Sequence, residues 1–421
     1  MLPTLIFQLC GLQSFATVSF PVLSALALLW CTGNIVLYVG VLVFCVSERK
    51  WLFADPRHPA SGRINFIPFI KSSITVVAHL LVLLEALLAR NAYRAIDRQL
   101  RTIDGQLQRL TDSTASADLL LANRRYRNKL LVFVLFVCTT ELGVLAILDT
   151  GPVQQAIWYL TVPSLFIIRL KHLHHTYHID RLAALFGVLC RQLTSIVGGN
   201  TVGARDTKNA GGEDKEFRWN VLHRAGPSGW PTVNTSREVD SVRRMLRIES
   251  TYLALWHTVS DLNRTCVYSQ LVNLLQNFIQ CTCDLYTMYS LLYLNQFDDI
   301  LGYILSIVAT FAALGTLLAA CENCKSQVSQ MGQLLHHRNG DEVDLLGKMV
   351  ENLSLLLQHT PLYFSLGGFF DMDLVLLKEM AAAIATYMVI FIQFMPKEDA
   401  TAPAPESAVG NGSVVTDHAV A

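Results

Sequence analysis

Apolar residues in this chain fall in long blocks, and charged residues fall between them. Seven blocks approach or exceed the roughly 20 residues that carry a helix across a bilayer. They are 21–46, 65–89, 129–150, 153–170, 266–292, 300–321 and 374–395. The fourth is the shortest and starts just after Gly151-Pro152. The second holds Lys71, His79 and Glu85 inside an otherwise apolar run. Residues 1–20 are also apolar but carry Gln8, Gln13 and Ser14 and no basic start. They read as an amphipathic lead-in rather than a cleaved signal. The pattern predicts an all-α polytopic membrane protein with seven transmembrane helices.

The charged stretches keep a helical period. Arg90, Arg94, Arg98 and Arg101 share one stripe, with Leu100, Ile103, Leu107 and Leu110 as its apolar counterpart. Val242, Met245, Leu246, Tyr252, Leu253 and Trp256 lead in the same way into the fifth block. Val328, Met331, Leu334 and Leu335 continue the sixth. Three extensions on one side predict a packed helical assembly there. Residues 197–240 are rich in Gly, Asn, Thr and charge and read as disordered, as does the Ala-, Pro- and Gly-rich tail 396–421. The predicted parts are then the lead-in 1–20, six spans with their helical loops over 21–321, an anchor helix over 322–373, a last span over 374–395, and the tail.

Charge sets an expected orientation. Alternating spans place nine Lys and Arg of 90–129, fourteen of 169–264 and three of 325–348 on one side, against five on the other. Basic residues collect at cytoplasmic helix ends, and long loops count for little. Without the long loop the balance is still twelve to five, which predicts a cytoplasmic N-terminus and an outer C-terminus. Hydrophobic residues are 52% and charged residues 16% of the chain, and the net charge is +0, so nucleic acid is not a partner by electrostatics. Ten scattered cysteines form no disulfide framework, and Cys321-Glu-Asn-Cys324 is a lone pair with no second half. His172, His174, His175 and His178 cluster at the end of the fourth span. Without a completing Cys or carboxylate they read as a basic helix end rather than a metal site. Phosphate-loop, zinc-protease and serine-elbow motifs do not stand out, so an enzyme is not expected, and no cofactor is implied. Asp180-Arg181 follows the fourth span rather than the third, and the last span has no Asn-Pro-x-x-Tyr. Both features argue against a G-protein-coupled receptor. No internal repeat supports a duplicated transporter.

The last block carries the most specific pattern. Thr386, Tyr387 and Gln393 interrupt an apolar helix, and an amide in lipid needs a partner or water. Residues 386, 390 and 393 share one face, and alanines at 381, 382, 383 and 385 allow close packing. A small-residue helix with one polar stripe suits a pore lining. A packing interface with Gln393 bonded to a neighbouring helix fits equally well.

Thr386-Tyr387, five residues, then Gln393-Phe394 resembles the TY-x5-QF signature that closes insect gustatory receptors. Gly367-Gly368-Phe369-Phe370-Asp371-Met372-Asp373 resembles that family's Gly-aromatic lead-in. The resemblance is residue-specific over 367–394 and otherwise one of layout. It implies a homotetrameric or heterotetrameric, ligand-gated, non-selective cation channel in the plasma membrane of a chemosensory neuron, assembled alone or with other gustatory receptors. The final helix would line the pore, with Gln393 and Phe394 near the outer gate, Ile390 one turn below, and Thr386 and Tyr387 supporting the helix from behind. The ligand would be a small tastant, a bitter or noxious compound or a sugar such as fructose. The sugar branch usually carries Glu after the Thr-Tyr pair, where this chain has Met388. The alternative is a secondary transporter or a non-channel membrane scaffold.

Depth in the expected topology places Lys71, Ser72, Ser73, Thr75, Thr139, Thr140 and Glu141 in the outer halves of their spans. Trp158, Tyr159, Asp284, Tyr286, Tyr289 and Tyr303 join them. Aromatics with a few polar groups suit a small organic ligand, with Lys71, Ser72, Glu141, Trp158, Tyr159, Asp284, Tyr286 and Tyr303 as candidate contacts. Lys71 could equally pair with Glu141 or Asp284 as internal glue. Of the sequons at Asn234, Asn263, Asn352 and Asn411, only Asn411 is expected outside the cell, so it is the candidate glycosylation site. Membrane lipid is the remaining expected partner.

Overall fold

The computed structural model describes residues 21–47, 66–110, 113–147, 152–209, 236–293, 300–336 and 345–393, with isolated positions at 6–7, 10, 12 and 297. Nine helices are described: α1 Pro21–Ser47, α2 Phe66–Leu88, α3 Arg90–Leu110, α4 Ser113–Ile147, α5 Pro152–Asn209, α6 Ser236–Tyr293, α7 Ile300–His336, α8 Leu345–His359 and α9 Leu374–Gln393. Two short strands, β1 Ser365–Leu366 and β2 Phe370–Asp371, pair antiparallel between α8 and α9. Of the polar segment 197–240, helices α5 and α6 enter from either side, and 210–235 lies outside the described residues.

Helices α2 and α3 are one rod in hydrogen-bonding terms. Ala89 N–H donates to the Glu85 carbonyl at 2.8 Å and Tyr93 N–H to the Ala89 carbonyl at 3.0 Å, so the ladder runs through the single break. Helices α5 and α6 each have 58 residues, or about 87 Å at 1.5 Å per residue. That is about twice the full thickness of a bilayer, so both project well beyond it. Their projecting parts join α3, the end of α7, and α8 in the largest core. That core is shared by Leu100 and Leu107 of α3, Leu182, Leu185, Phe186, Leu189 and Leu193 of α5, Met245 and Leu255 of α6, and Leu353 of α8. The α5 set recurs at three- and four-residue steps, the spacing that puts one apolar face against neighbours. From the lead-in, Phe7 and Leu12 are fully buried in a second cluster with Val82, Leu130 and Leu170.

Among the described residues, three helices are long and apolar enough by composition alone to cross a membrane: Phe69–Leu88, Ile300–His336 and Leu374–Gln393. Leu28–Phe44 of α1 is a shorter apolar run. Helices α5 and α6 are more polar because they bury their polar groups against neighbouring helices instead of facing lipid.

The turn before α9 is built by backbone sterics. Gly367 and Gly368 have φ of 62° and 81°, and Phe369 N–H donates to the Leu366 carbonyl at 3.1 Å. Two successive positive φ values make a tight hairpin turn that side chains resist. A Cβ on Gly367 would also sit 3.1 Å from Val267 of α6. Helix α6 holds this connection by three donations to backbone carbonyls: Tyr252 Oη to Thr360 at 2.7 Å, Asn263 Nδ2 to Tyr363 at 2.9 Å and Trp256 Nε1 to Pro361 at 3.4 Å. Asp373 then caps α9, its Oδ1 accepting from Val375 N–H at 2.9 Å and Leu376 N–H at 3.2 Å.

Candidate functional site

Helix α6 carries a polar stripe along its span. Ser269, Gln270, Asn273, Gln276, Asn277, Gln280 and Asp284 recur every three or four positions, and all are buried. Groups so placed in a membrane must find protein partners, and here α2, α5 and α7 supply them. At one end, Lys71 Nζ of α2 donates to Asp284 Oδ1 at 2.5 Å, with the Tyr303 ring of α7 5.7 Å away. Asp284 Oδ2 accepts from Gln280 Nε2 at 3.0 Å and from Ser306 Oγ at 2.9 Å. The Arg169 guanidinium of α5 lies on the same knot. It donates to the Ser306 carbonyl at 3.4 Å and Thr310 Oγ1 at 3.2 Å, and pairs with Glu141 of α4. Gln276 continues the stripe by donating to Thr75 Oγ1 at 3.3 Å.

Further along, the His172 ring is held from both sides. Asn277 Nδ2 lies 2.9 Å from Nε2 and Gln270 Oε1 lies 3.1 Å from Nδ1. With the amide donating to Nε2, the imidazole is neutral and carries its proton on Nδ1. The stripe ends where Glu85 of α2 accepts from the Ser269 N–H at 2.5 Å and Ser269 Oγ at 2.6 Å. Lys171 Nζ of α5 pairs with Glu85 at 3.2 Å and donates to Tyr93 Oη at 2.8 Å.

Among the described residues three ion pairs are therefore buried: Lys71–Asp284, Glu141–Arg169 and Glu85–Lys171, with every side chain 9% exposed or less. Each cation faces one carboxylate, so the interior carries no net charge from them. Beyond Lys171 lies the histidine group. His174 and His178 place Nε2 atoms 3.4 Å apart, and Phe7 of the lead-in meets the His174 ring edge-on at 4.7 Å. Burial pushes His178 down to about 4, with Asp97 opposing, and holds His174 and His175 well below the usual imidazole value. Among the described residues, no three His, Cys, Asp or Glu side chains are placed to hold a metal ion.

The candidate ligand residues divide. Lys71, Asp284 and Tyr303 come together, and Glu141 joins them through Arg169 and Ser306. Ser72 is half-buried one residue from Lys71, while Tyr159 is 63% exposed. The Trp158 side chain lies outside the described residues. Tyr286 faces elsewhere, meeting Phe391 of α9 edge-on at 5.7 Å. Arg169, Gln280 and Ser306 complete the knot and were not among the candidates. Arg169 and Lys171, counted above with a loop, are interior residues instead.

Helix α9 is the opposite kind of element. Only Leu376, Met380 and Ile384 of its 20 residues are buried. Tyr387 and Phe391 share their side of the helix and meet Phe278 and Tyr286 of α6 edge-on. Thr386, Ile390 and Gln393 lie about a third of a turn away, on an exposed face. Thr386 Oγ1 bonds back to the Ala382 carbonyl at 3.0 Å. The Gln393 amide has no side-chain bond among the described residues. Phe394 and Asn411 lie outside them.

Comparison with known proteins meets this architecture. Residues 4–398 match the family model described as "7tm Chemosensory receptor". A Drosophila melanogaster protein named "Putative gustatory receptor 2a" is 24% identical over 382 residues, covering 84% of this chain and 82% of its own. The structure of the insect olfactory receptor OR5 from Machilis hrabei superposes with a TM-score of 0.53 at 13% identity, covering 93% of this chain and 96% of that one. The same receptor in complex with eugenol gives a TM-score of 0.53 at 11% identity, with the same coverage.

Proposed function

The chain belongs to the 7tm chemosensory receptor family, and from that premise we propose that it is a gustatory receptor acting as a ligand-gated, non-selective cation channel. The family makes it a seven-helix, multi-pass membrane receptor rather than an enzyme. The observation that carries the channel reading is α9. Its Thr386-Tyr387 and Gln393 lie in the signature spacing, and one face packs on α6 through aromatics. The other, bearing Thr386, Ile390 and Gln393, stands open. Four such faces around an axis would enclose a pore, with Gln393 and Phe394 at its outer gate and Tyr387 braced from behind. The assembly would be a homotetramer, or a heterotetramer with other gustatory receptors, anchored by the helical extensions.

The ligand is a small tastant received near Lys71, Asp284 and Tyr303, with Ser72 and Glu141 at the margin. An ion pair already balanced by Gln280 and Ser306 favours a ligand with hydroxyl or amide groups over a charged one. In this reading the N-terminus and the extensions are cytoplasmic, Asn411 is outside, and the protein sits in the plasma membrane of a chemosensory neuron. Current recording from cells expressing only this chain, screened against bitter compounds and sugars, tests it. A ligand-evoked cation current supports the channel. Saturable uptake without current returns the reading to a transporter. An epitope tag after Ala421, stained on intact cells, checks the orientation, and a glycosidase-sensitive glycan lost in Asn411→Gln agrees with it.

A further inference from the structure

A groove with about 740 Å³ of room opens between the α2–α3 rod and α6. Its walls are apolar, formed chiefly by Leu84, Leu88, Ala92, Ala95 and Tyr268. Leu88 and Tyr268 are each 74% exposed, so the groove faces outward from the subunit. Its depth is fixed by sequence. The apolar run of α2 gives way to charge at Ala89-Arg90, and that of α6 begins at Cys266. Tyr93 Oη lies 3.2 Å from Cys266 Sγ, so the two boundaries stand at one level. The groove therefore crosses from hydrocarbon into the head-group layer. The alanines at 92 and 95 keep it open for more than a turn past the end of the span.

Two charges stand on its polar rim. Arg264 and Asp261 are both exposed, both line the groove, and neither makes an ion pair or side-chain hydrogen bond among the described residues. Both are on α6, one turn apart, and Asp261 lies about 4.5 Å further from the hydrocarbon. A phospholipid with an amino head group carries its charges in that same order, phosphate inward and ammonium outward. A head group whose only charge is the phosphate would still meet Arg264 but would leave the Asp261 carboxylate with no cation to answer it.

We propose that this groove is a binding site for a glycerophospholipid with a primary-amine head group, one acyl chain along Leu84, Leu88 and Tyr268, the phosphate on Arg264 and the ammonium on Asp261. The site uses only the membrane-spanning fold and is independent of whether the protein conducts ions.

Native mass spectrometry of the purified, assembled, delipidated protein tests it, with phosphatidylethanolamine and phosphatidylglycerol of matched chains as probes. Phosphatidylethanolamine should be retained roughly fivefold better, the factor expected for one charge contact at a membrane surface. Arg264→Ala should weaken both lipids by about that factor. Asp261→Lys should reverse the preference towards phosphatidylglycerol. Ala92→Phe, which fills the groove, should remove both adducts and leave the oligomer intact. Equal retention of the two lipids that neither charge variant alters would overturn the proposal. So would dissociation of the oligomer on Ala92→Phe, because a second copy of the chain would then be the occupant. The Asp261 side chain is exposed and bears no bond among the described residues, so its variant reports even if the filled groove does not fold.

Discussion

Helices α6 and α9 both break an apolar span with polar side chains, and the structure treats them in opposite ways. The polar stripe of α6 is answered at nearly every position by α2, α5 or α7 within the same subunit. Among the described residues, the polar stripe of α9 is answered by no other element, Thr386 bonding only back to its own helix, while its other side is docked on α6. A polar residue in a membrane helix therefore has two meanings. Where partners close around it, it fixes the internal packing. Where they do not, it marks a face reserved for water, ions or another subunit. Helix α6 sits between the two, with the ion-pair knot on one side and the aromatic seam to α9 on the other. Its partners also include the connection leading into α9, so α6 touches α9 at one end and holds its entry at the other.

The sharpest way to break this contrast is to leave one interior charge alone. Lys71→Ala strands Asp284, and Arg169→Ala strands Glu141, each inside the bundle. Removing one partner of a buried pair costs about 3–5 kcal/mol, whereas replacing both by apolar groups is often neutral. Each single variant should lose monodisperse protein on fluorescence-detected gel filtration. Lys71→Met with Asp284→Leu should recover it. If both singles stay as stable as the parent, the interior network is not what holds α6.

Sequence showed much of the frame and less of the wiring. The seven apolar blocks were legible because length and hydropathy are local properties. The α9 pattern was legible because its letters are close together and need no partner to be read. Pairing was not legible. Lys71 had Glu141 and Asp284 as equal candidates, and the choice falls to Asp284 because Arg169, read as a loop charge, takes Glu141. The pairs span 213 and 28 residues in sequence, so only the packing of α2, α4, α5 and α6 decides them. Tyr286 stands apart from Lys71, Asp284 and Tyr303 for a simpler reason: two residues past Asp284 is 200° around a helix, which turns it towards α9. The stripe Ser269–Asp284 was present at helical spacing and could have been found by the same count that found Thr386, Ile390 and Gln393.

Acid should separate the two regions next. His178 is held down to about 4 by burial, against an ordinary value near 6.5. A lowered histidine pKa means the unfolded chain binds the proton more readily. The linked stability is thus complete above about 6.5 and is lost as pH falls from there towards 4. At pH 5 the loss from His178 alone is about 2 kcal/mol at 1.36 kcal/mol per pH unit. His174 and His175 are shifted in the same direction. The midpoint of thermal unfolding should fall between pH 7 and 5, and His178→Phe should flatten part of that slope. A flat profile in the parent would place water around the histidines.

The aromatic seam is a smaller term. Phe278–Tyr387 and Tyr286–Phe391 are edge-on pairs with ring centres 5.6 and 5.7 Å apart. Such pairs contribute about 0.5–1.5 kcal/mol beyond area burial. A double-mutant cycle on Phe278→Leu and Tyr387→Leu should give a coupling in that range by thermal denaturation. A coupling of zero would mean that α9 leans on α6 without being held by it, and the transmission of movement between them would lose its physical basis.

The smallest effect on stability should come from the residue that matters most to the proposed conduction. The Gln393 amide is exposed and makes no side-chain bond among the described residues, so Gln393→Ala should change the unfolding midpoint by no more than a substitution at an ordinary surface site, within about 0.5 kcal/mol. The same substitution removes an amide dipole from the face that would line the pore. Ion selectivity is set at close quarters by such groups, so permeability ratios or open probability should shift in ligand-evoked currents. The two readouts together discriminate. Unchanged stability with altered permeation places the α9 stripe on the ion path. Lowered stability with unaltered permeation makes Gln393 a packing group bonded across a subunit interface, and α9 then becomes a second α6 whose partners belong to a neighbouring chain.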